Sequence, residues 1–141
     1  MRQRIIRTLI KPIATFVGTA FLAGSAMAAD LKDAEIKELI SGQTVYLELA
    51  AGTVTGTTGT GAIYYNADGT ALYKTGKGDI WHGTWTIKGN QGCVVWKETP
   101  NNACTRYDKA GDVVTLFNVA TGQARGKILK TAAGNAEKLA P

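Results

Sequence analysis

Residues 78–104, GDIWHGTWTIKGNQGCVVWKETPNNAC, constrain this chain more than any other stretch. They hold all three tryptophans, both cysteines and the only histidine of 141 residues. From 80 to 88 the side chains alternate strictly. Trp81, Gly83, Trp85 and Ile87 share one parity; Ile80, His82, Thr84, Thr86 and Lys88 share the other. Successive strand residues point to opposite faces, so this is a half-buried strand with a tryptophan-rich inner side. Gly83, between two indoles, lets a large ring lie across the strand or marks a bulge. Gly89 to Gly92 have turn composition. Residues 93–98 return, Thr99 to Asn102 turn again, and 103–108 come back.

Cys93 and Cys104 can face each other across this second hairpin. Val94 then meets Ala103, Val95 meets Asn102 and Trp96 meets Asn101, with 97–100 as the loop. Opposed Cα atoms in an antiparallel pair lie about 4.5–5.5 Å apart, within disulfide range. Two cysteines in an exported chain form one disulfide, Cys93–Cys104. A metal site from His82, Cys93 and Cys104 is disfavoured: the spacing matches no zinc signature, and an oxidising compartment removes thiolates. No metal and no cofactor is expected.

Export is read from the N-terminus. Residues 1–28 form a secretory signal peptide. Arg2, Arg4, Arg7 and Lys11 are its basic part, 13–22 its short apolar core, and Ala26-Met27-Ala28 its small-x-small cleavage site. The mature protein, residues 29–141, is one secreted or periplasmic β domain, with 131–141 as a loose tail. The whole chain carries +5, from 16 basic and 11 acidic residues. Four of the basic residues and none of the acidic ones lie in 1–28, which leaves 12 against 11. The basicity thus belongs to the targeting segment, and no nucleic-acid partner is expected. Nor is stable membrane insertion expected once the signal is cleaved.

One helix is expected, at 30–40. Asp30 is placed to cap it, Leu31, Ile36, Leu39 and Ile40 form its apolar stripe, and Gly42 stops it. It should cover one edge or end of a sheet. Residues 44–50 alternate with Val45, Leu47 and Leu49 inward. The run 51–61, AGTVTGTTGTG, lacks the Gly-Lys-Ser/Thr and the following helix of a phosphate loop. It reads as a hairpin or twisted edge. Asn66-Ala67-Asp68-Gly69 joins strands 62–66 and 70–75; Asp-Gly between aromatic-bearing strands is a strong hairpin signal. Residues 113–119 and 123–130 form a last hairpin. The chain is therefore mainly β. One N-terminal helix leads into an antiparallel meander of seven or eight strands, shaped as an up-and-down barrel or half-barrel with one disulfide.

The succession resembles a family of small exported bacterial proteins catalogued only as a domain of unknown function. The likeness is carried by the helix end Leu39-Ile40-Ser41-Gly42, the hairpin Tyr64-Tyr65-Asn66-Ala67-Asp68-Gly69-Thr70, and Gly83-Thr84-Trp85-Thr86-Ile87. Cys93-Val94-Val95-Trp96, Cys104 and the closing Gly134-Asn135 complete it. The resemblance implies secretion and a β-rich fold and brings no activity with it.

Catalysis needs converging groups, and few are in view. There is one histidine, His82, on the face opposite the tryptophans. Ser41, the only mature serine, sits at the helix end. No catalytic residue is assigned. Aromatics are abundant instead: Trp81, Trp85, Trp96, Tyr64, Tyr65 and Tyr73. They fill the core or line a ligand site. The sequence favours a non-enzymatic binding domain for a small apolar or aromatic-contacting ligand, in or on a β-barrel-like fold. The alternatives are an interaction or inhibitor module that engages a cell-envelope protein, and a hydrolase.

Overall fold

The computed structural model describes residues 27–50, 59–100 and 102–141. The expected signal peptide lies outside the described residues except for Met27 and Ala28, as does most of the glycine- and threonine-rich run. The elements in order are β1 (Ala29–Asp30), α1 (Asp33–Ile40), β2 (Gln43–Leu49), β3 (Gly59–Tyr65) and β4 (Thr70–Lys74). They continue with β5 (Ile80–Ile87), β6 (Gly92–Trp96), β7 (Ala103–Ala110), β8 (Val113–Asn118) and β9 (Ala124–Ala133).

From β2 to β9 each strand pairs antiparallel with the next, and β9 returns to pair with β2 from Gln43↔Ala133 to Leu49↔Gly126. That last pairing closes an eight-strand barrel and leaves no open edge between first and last strands.

This architecture corrects the sequence expectation in two ways: the strands number nine, eight in the barrel and one more, rather than seven or eight, and the helix does not open the fold. Of the barrel and the half-barrel, the closed barrel is the one formed. β1 comes first and lies along β7, with Ala29 opposite Lys109 and Asp30 opposite Asp108. The reason is a mismatch in length. β6 pairs with β7 only as far as Gly92↔Thr105, and β7 runs on to Ala110. Backbone groups beyond Thr105 need partners, and the incoming chain supplies them. Leu31 donates its N–H to the Tyr107 carbonyl at 2.8 Å. Asp30 is thereby drawn into the sheet, where its carboxylate meets Arg106 at 3.0 Å. It does not cap the helix. Lys32 holds the cap position, and its N–H donates to the Glu35 carboxylate at 2.8 Å.

The helix seals one end of the barrel. Ile36 and Ile40 are fully buried, and burying each contributes about 1.5–3 kcal/mol. Asp33 and Asn90 exchange backbone-to-side-chain hydrogen bonds of 3.1 and 2.5 Å, which tie the helix start to the β5–β6 turn. Beyond β9 the chain packs on the outside. Thr44 Oγ1 donates to Gly134 O at 2.6 Å and accepts from Ala136 N at 3.0 Å, and Leu139 is buried.

The Cys93–Cys104 disulfide is present, between directly opposed residues of β6 and β7. Val94 opposes Ala103, as the spacing predicts. The described ladder goes no further toward the loop. The expected Trp96–Asn101 pair lies outside the described residues; Trp96 N donates to the side-chain oxygen of Asn102 at 2.9 Å. Asparagine there supplies a local bond, as it does in turns.

Candidate functional site

Alternation decides what the barrel encloses. Trp81, Gly83, Trp85 and Ile87 of β5 face inward together with Val94 and Trp96 of β6, because Gly83 opposes Trp96 and Trp85 opposes Val94. Three inward glycines make room for rings. A Cβ on Gly83 would stand 2.7 Å from the Trp96 indole, one on Gly61 2.7 Å from the Tyr73 ring, and one on Gly92 2.8 Å from the Tyr107 hydroxyl. Small residues opposite large ones are how a narrow barrel is filled.

The expected aromatics divide into three groups. Tyr73, Trp81 and Trp96 form one cluster, with ring centres 5.6, 5.6 and 6.3 Å apart. Tyr65 and Trp85 meet edge to face at 5.8 Å, and the Trp85 indole N–H donates to Asn66 O at 2.8 Å. Tyr64 has the opposite parity and lines a groove on the outer wall with Leu72, His82, Asn135 and Leu139. The structure therefore separates Tyr64 from the other five.

His82 also faces outward. Its Nδ1 lies 2.8 Å from Glu98 Oε1, and its backbone N–H donates to Glu98 Oε2 at 2.8 Å. Both side chains are partly exposed. Among the described residues no group of three or more histidine, cysteine, aspartate or glutamate side chains is arranged to hold a metal.

A cavity of about 50 Å³ lies at the centre of the barrel. Its walls are Ile40, Val45, Leu47, Ile63, Val94 and Leu116, with Tyr73 and Trp96 from the aromatic cluster. Its polar groups come from Tyr65, Thr105, Tyr107 and Arg125. Cavities of drug-size sites begin near 300 Å³. A void of roughly 150 Å³ is needed to take a benzene ring. This one suits a few water molecules or a small polar group.

Arg125, Thr105 and Tyr107 were not among the candidates from sequence. A bulge in β9 turns Arg125 inward. Leu116 opposes Gly126 but Phe117 opposes Ala124, so Arg125 is the extra residue. Such an insertion re-aims one side chain out of the alternation. Gly126 makes this possible: its φ is +155°, and any Cβ would run into the Glu48 carbonyl oxygen. A glycine within a strand-like run was the available signal, since it marks a bulge or a close backbone approach.

The electrostatics of the cluster are lopsided. Arg125 Nη1 donates to Thr105 Oγ1 at 2.5 Å, while Nε is buried without a hydrogen-bond partner. Burial lowers the Arg125 pKa, but a guanidinium remains protonated at neutral pH. Its charged-state neighbours are tyrosines, not carboxylates. Those tyrosines stay neutral. Burial pushes the Tyr107 phenol up to about 12 and Tyr65 well above its ordinary value. The two hydroxyls hydrogen-bond each other. The barrel interior thus holds one positive charge with no negative one beside it among the described residues.

No protein-family model, no curated protein and no solved structure matches this chain.

Proposed function

We propose that this protein is an exported, non-enzymatic binding barrel that takes a small ligand against its interior aromatic wall. One observation carries the reading. The central cavity joins an apolar, ring-lined surface to a few convergent polar groups, one of them an arginine with an unused donor. That combination is the usual make-up of a ligand site. The cavity's size limits the ligand to a few heavy atoms, or to the part of a larger molecule that enters.

Export belongs to the same proposal. A disulfide fits an oxidising compartment, and no helix among the described residues is long and apolar enough to cross a membrane.

Native mass spectrometry of gently purified protein, compared with its denatured mass, tests the reading. A discrete extra mass, together with a change in tryptophan emission on its removal, is the expected result. A bare monomer whose emission does not respond to small ligands would overturn it and favour the envelope-protein interaction module.

A further inference from the structure

We infer that the interior site at Arg125 recognises a single negative charge, and that the ligand is a monocarboxylate whose head group sits in the central cavity. The inference deepens the binding-barrel reading and rests on it.

Three observations converge. First, the bulge at Arg125 and Gly126 uses a backbone position open only to glycine and turns a charged side chain into the barrel. A regular strand would have kept the alternation, and an outward arginine would have cost nothing in desolvation. Secondly, Nε is buried and unpartnered. Buried polar groups in native proteins are almost always satisfied, so an orphaned charged donor points to a missing partner. Thirdly, among the described residues nothing around the guanidinium supplies negative charge, because its neighbours are tyrosine phenols and a threonine hydroxyl. A neutral ligand would satisfy the donor and leave the charge uncompensated. A cation would be repelled.

The chemistry narrows the choice further. The guanidinium is planar, and its fork of donors matches the two oxygens of a carboxylate. One Nη is already used on Thr105, so the Nε side of the fork is the one to engage. A cavity of about 50 Å³ holds a carboxylate and little more. Its aliphatic and aromatic walls favour an apolar substituent over a second charged group. A short free carboxylate and the head of a longer one share this chemistry.

Isothermal titration of the disulfide-bonded protein separates the possibilities, with acetate, hexanoate, 1-hexanol and hexylamine as probes. At least one carboxylate is expected to bind tenfold or more tightly than the alcohol and the amine. Acetate alone would identify a short free acid, and hexanoate alone the head of a longer one. Arg125→Met is expected to abolish that preference while the near-ultraviolet circular dichroism stays native. Should the methionine variant fail to fold, Arg125→Lys carries the test, because it keeps the charge but loses the fork; at least a fivefold loss is expected. Hexanol binding as tightly as hexanoate would overturn the inference and leave the binding barrel standing. So would a carboxylate preference that survives in the variant. No binding by any of the four probes would sink both.

Discussion

The described residues contain two arginines, and the protein treats them in opposite ways. Arg106 lies on the outer wall of β7. Its Nε is 3.0 Å from Asp30 and 3.2 Å from Asp108, and its guanidinium lies 4.7 Å over the Phe117 ring. Arg125 lies inside the same barrel, hydrogen-bonded to one hydroxyl and facing no carboxylate. Water already solvates the outer arginine, yet it has two counter-charges. The inner one, where desolvation is far more costly, has none. Arg106 is fully paired at the surface, whereas Arg125 keeps an unpartnered donor inside the barrel.

The comparison can be broken or sharpened by substitution. The largest effect is expected from the wall beside Arg125. Trp96→Ala should destabilise the protein by about 3–5 kcal/mol in denaturant unfolding, since the ring is buried against Tyr73 and Trp81. A loss under about 1 kcal/mol would mean that the wall is not packed. Next comes Arg125→Met, which should raise the ligand-free stability by about 1–4 kcal/mol, because an apolar side chain of similar length removes a buried charge. A clear drop in melting temperature would make Arg125 structural and erase the contrast with Arg106.

Arg106→Met should cost less than about 1 kcal/mol. Arg106 and Asp30 are largely exposed and Asp108 is partly so, and exposed ion pairs contribute little. The smallest effect concerns pH. The Asp108 carboxyl titrates above its ordinary value because it hydrogen-bonds Asp30; burial adds to this and Arg106 opposes it. A carboxyl with a raised folded-state pKa stabilises the fold when protonated. Its contribution is complete below the ordinary carboxylate value and is lost as pH rises through the raised one. Asp30→Asn should flatten that decline in thermal unfolding measured between about pH 3 and 6. An unchanged profile would show that Asp30 is not what raises the Asp108 carboxyl.

Much of the wall could be read from local spacing. The parity of residues 80–88 placed Trp81, Gly83, Trp85 and Ile87 on one face, and the structure turns that face inward. The cysteine spacing set the Cys93–Cys104 opposition, and Asp68-Gly69 marked the hairpin between β3 and β4. These are properties of a few neighbouring residues, governed by strand period and turn chemistry.

Other features depend on segments far apart in the chain. Closure needs β9 to reach β2, so that Ala133 lies opposite Gln43. The strand ahead of the helix exists because β7 outruns β6, a difference in length that becomes visible only after the two have paired. Arg125 faces inward because β9 carries one residue more than β8 pairs with there, and Arg125 is the surplus. The sequence by itself determined which residues alternate, where the chain turns and which cysteines meet, because those follow from local geometry. Only the tertiary structure decided that the sheet closes and that a lone positive charge lies at its centre, because both arise from fitting strands of unequal length around a ring.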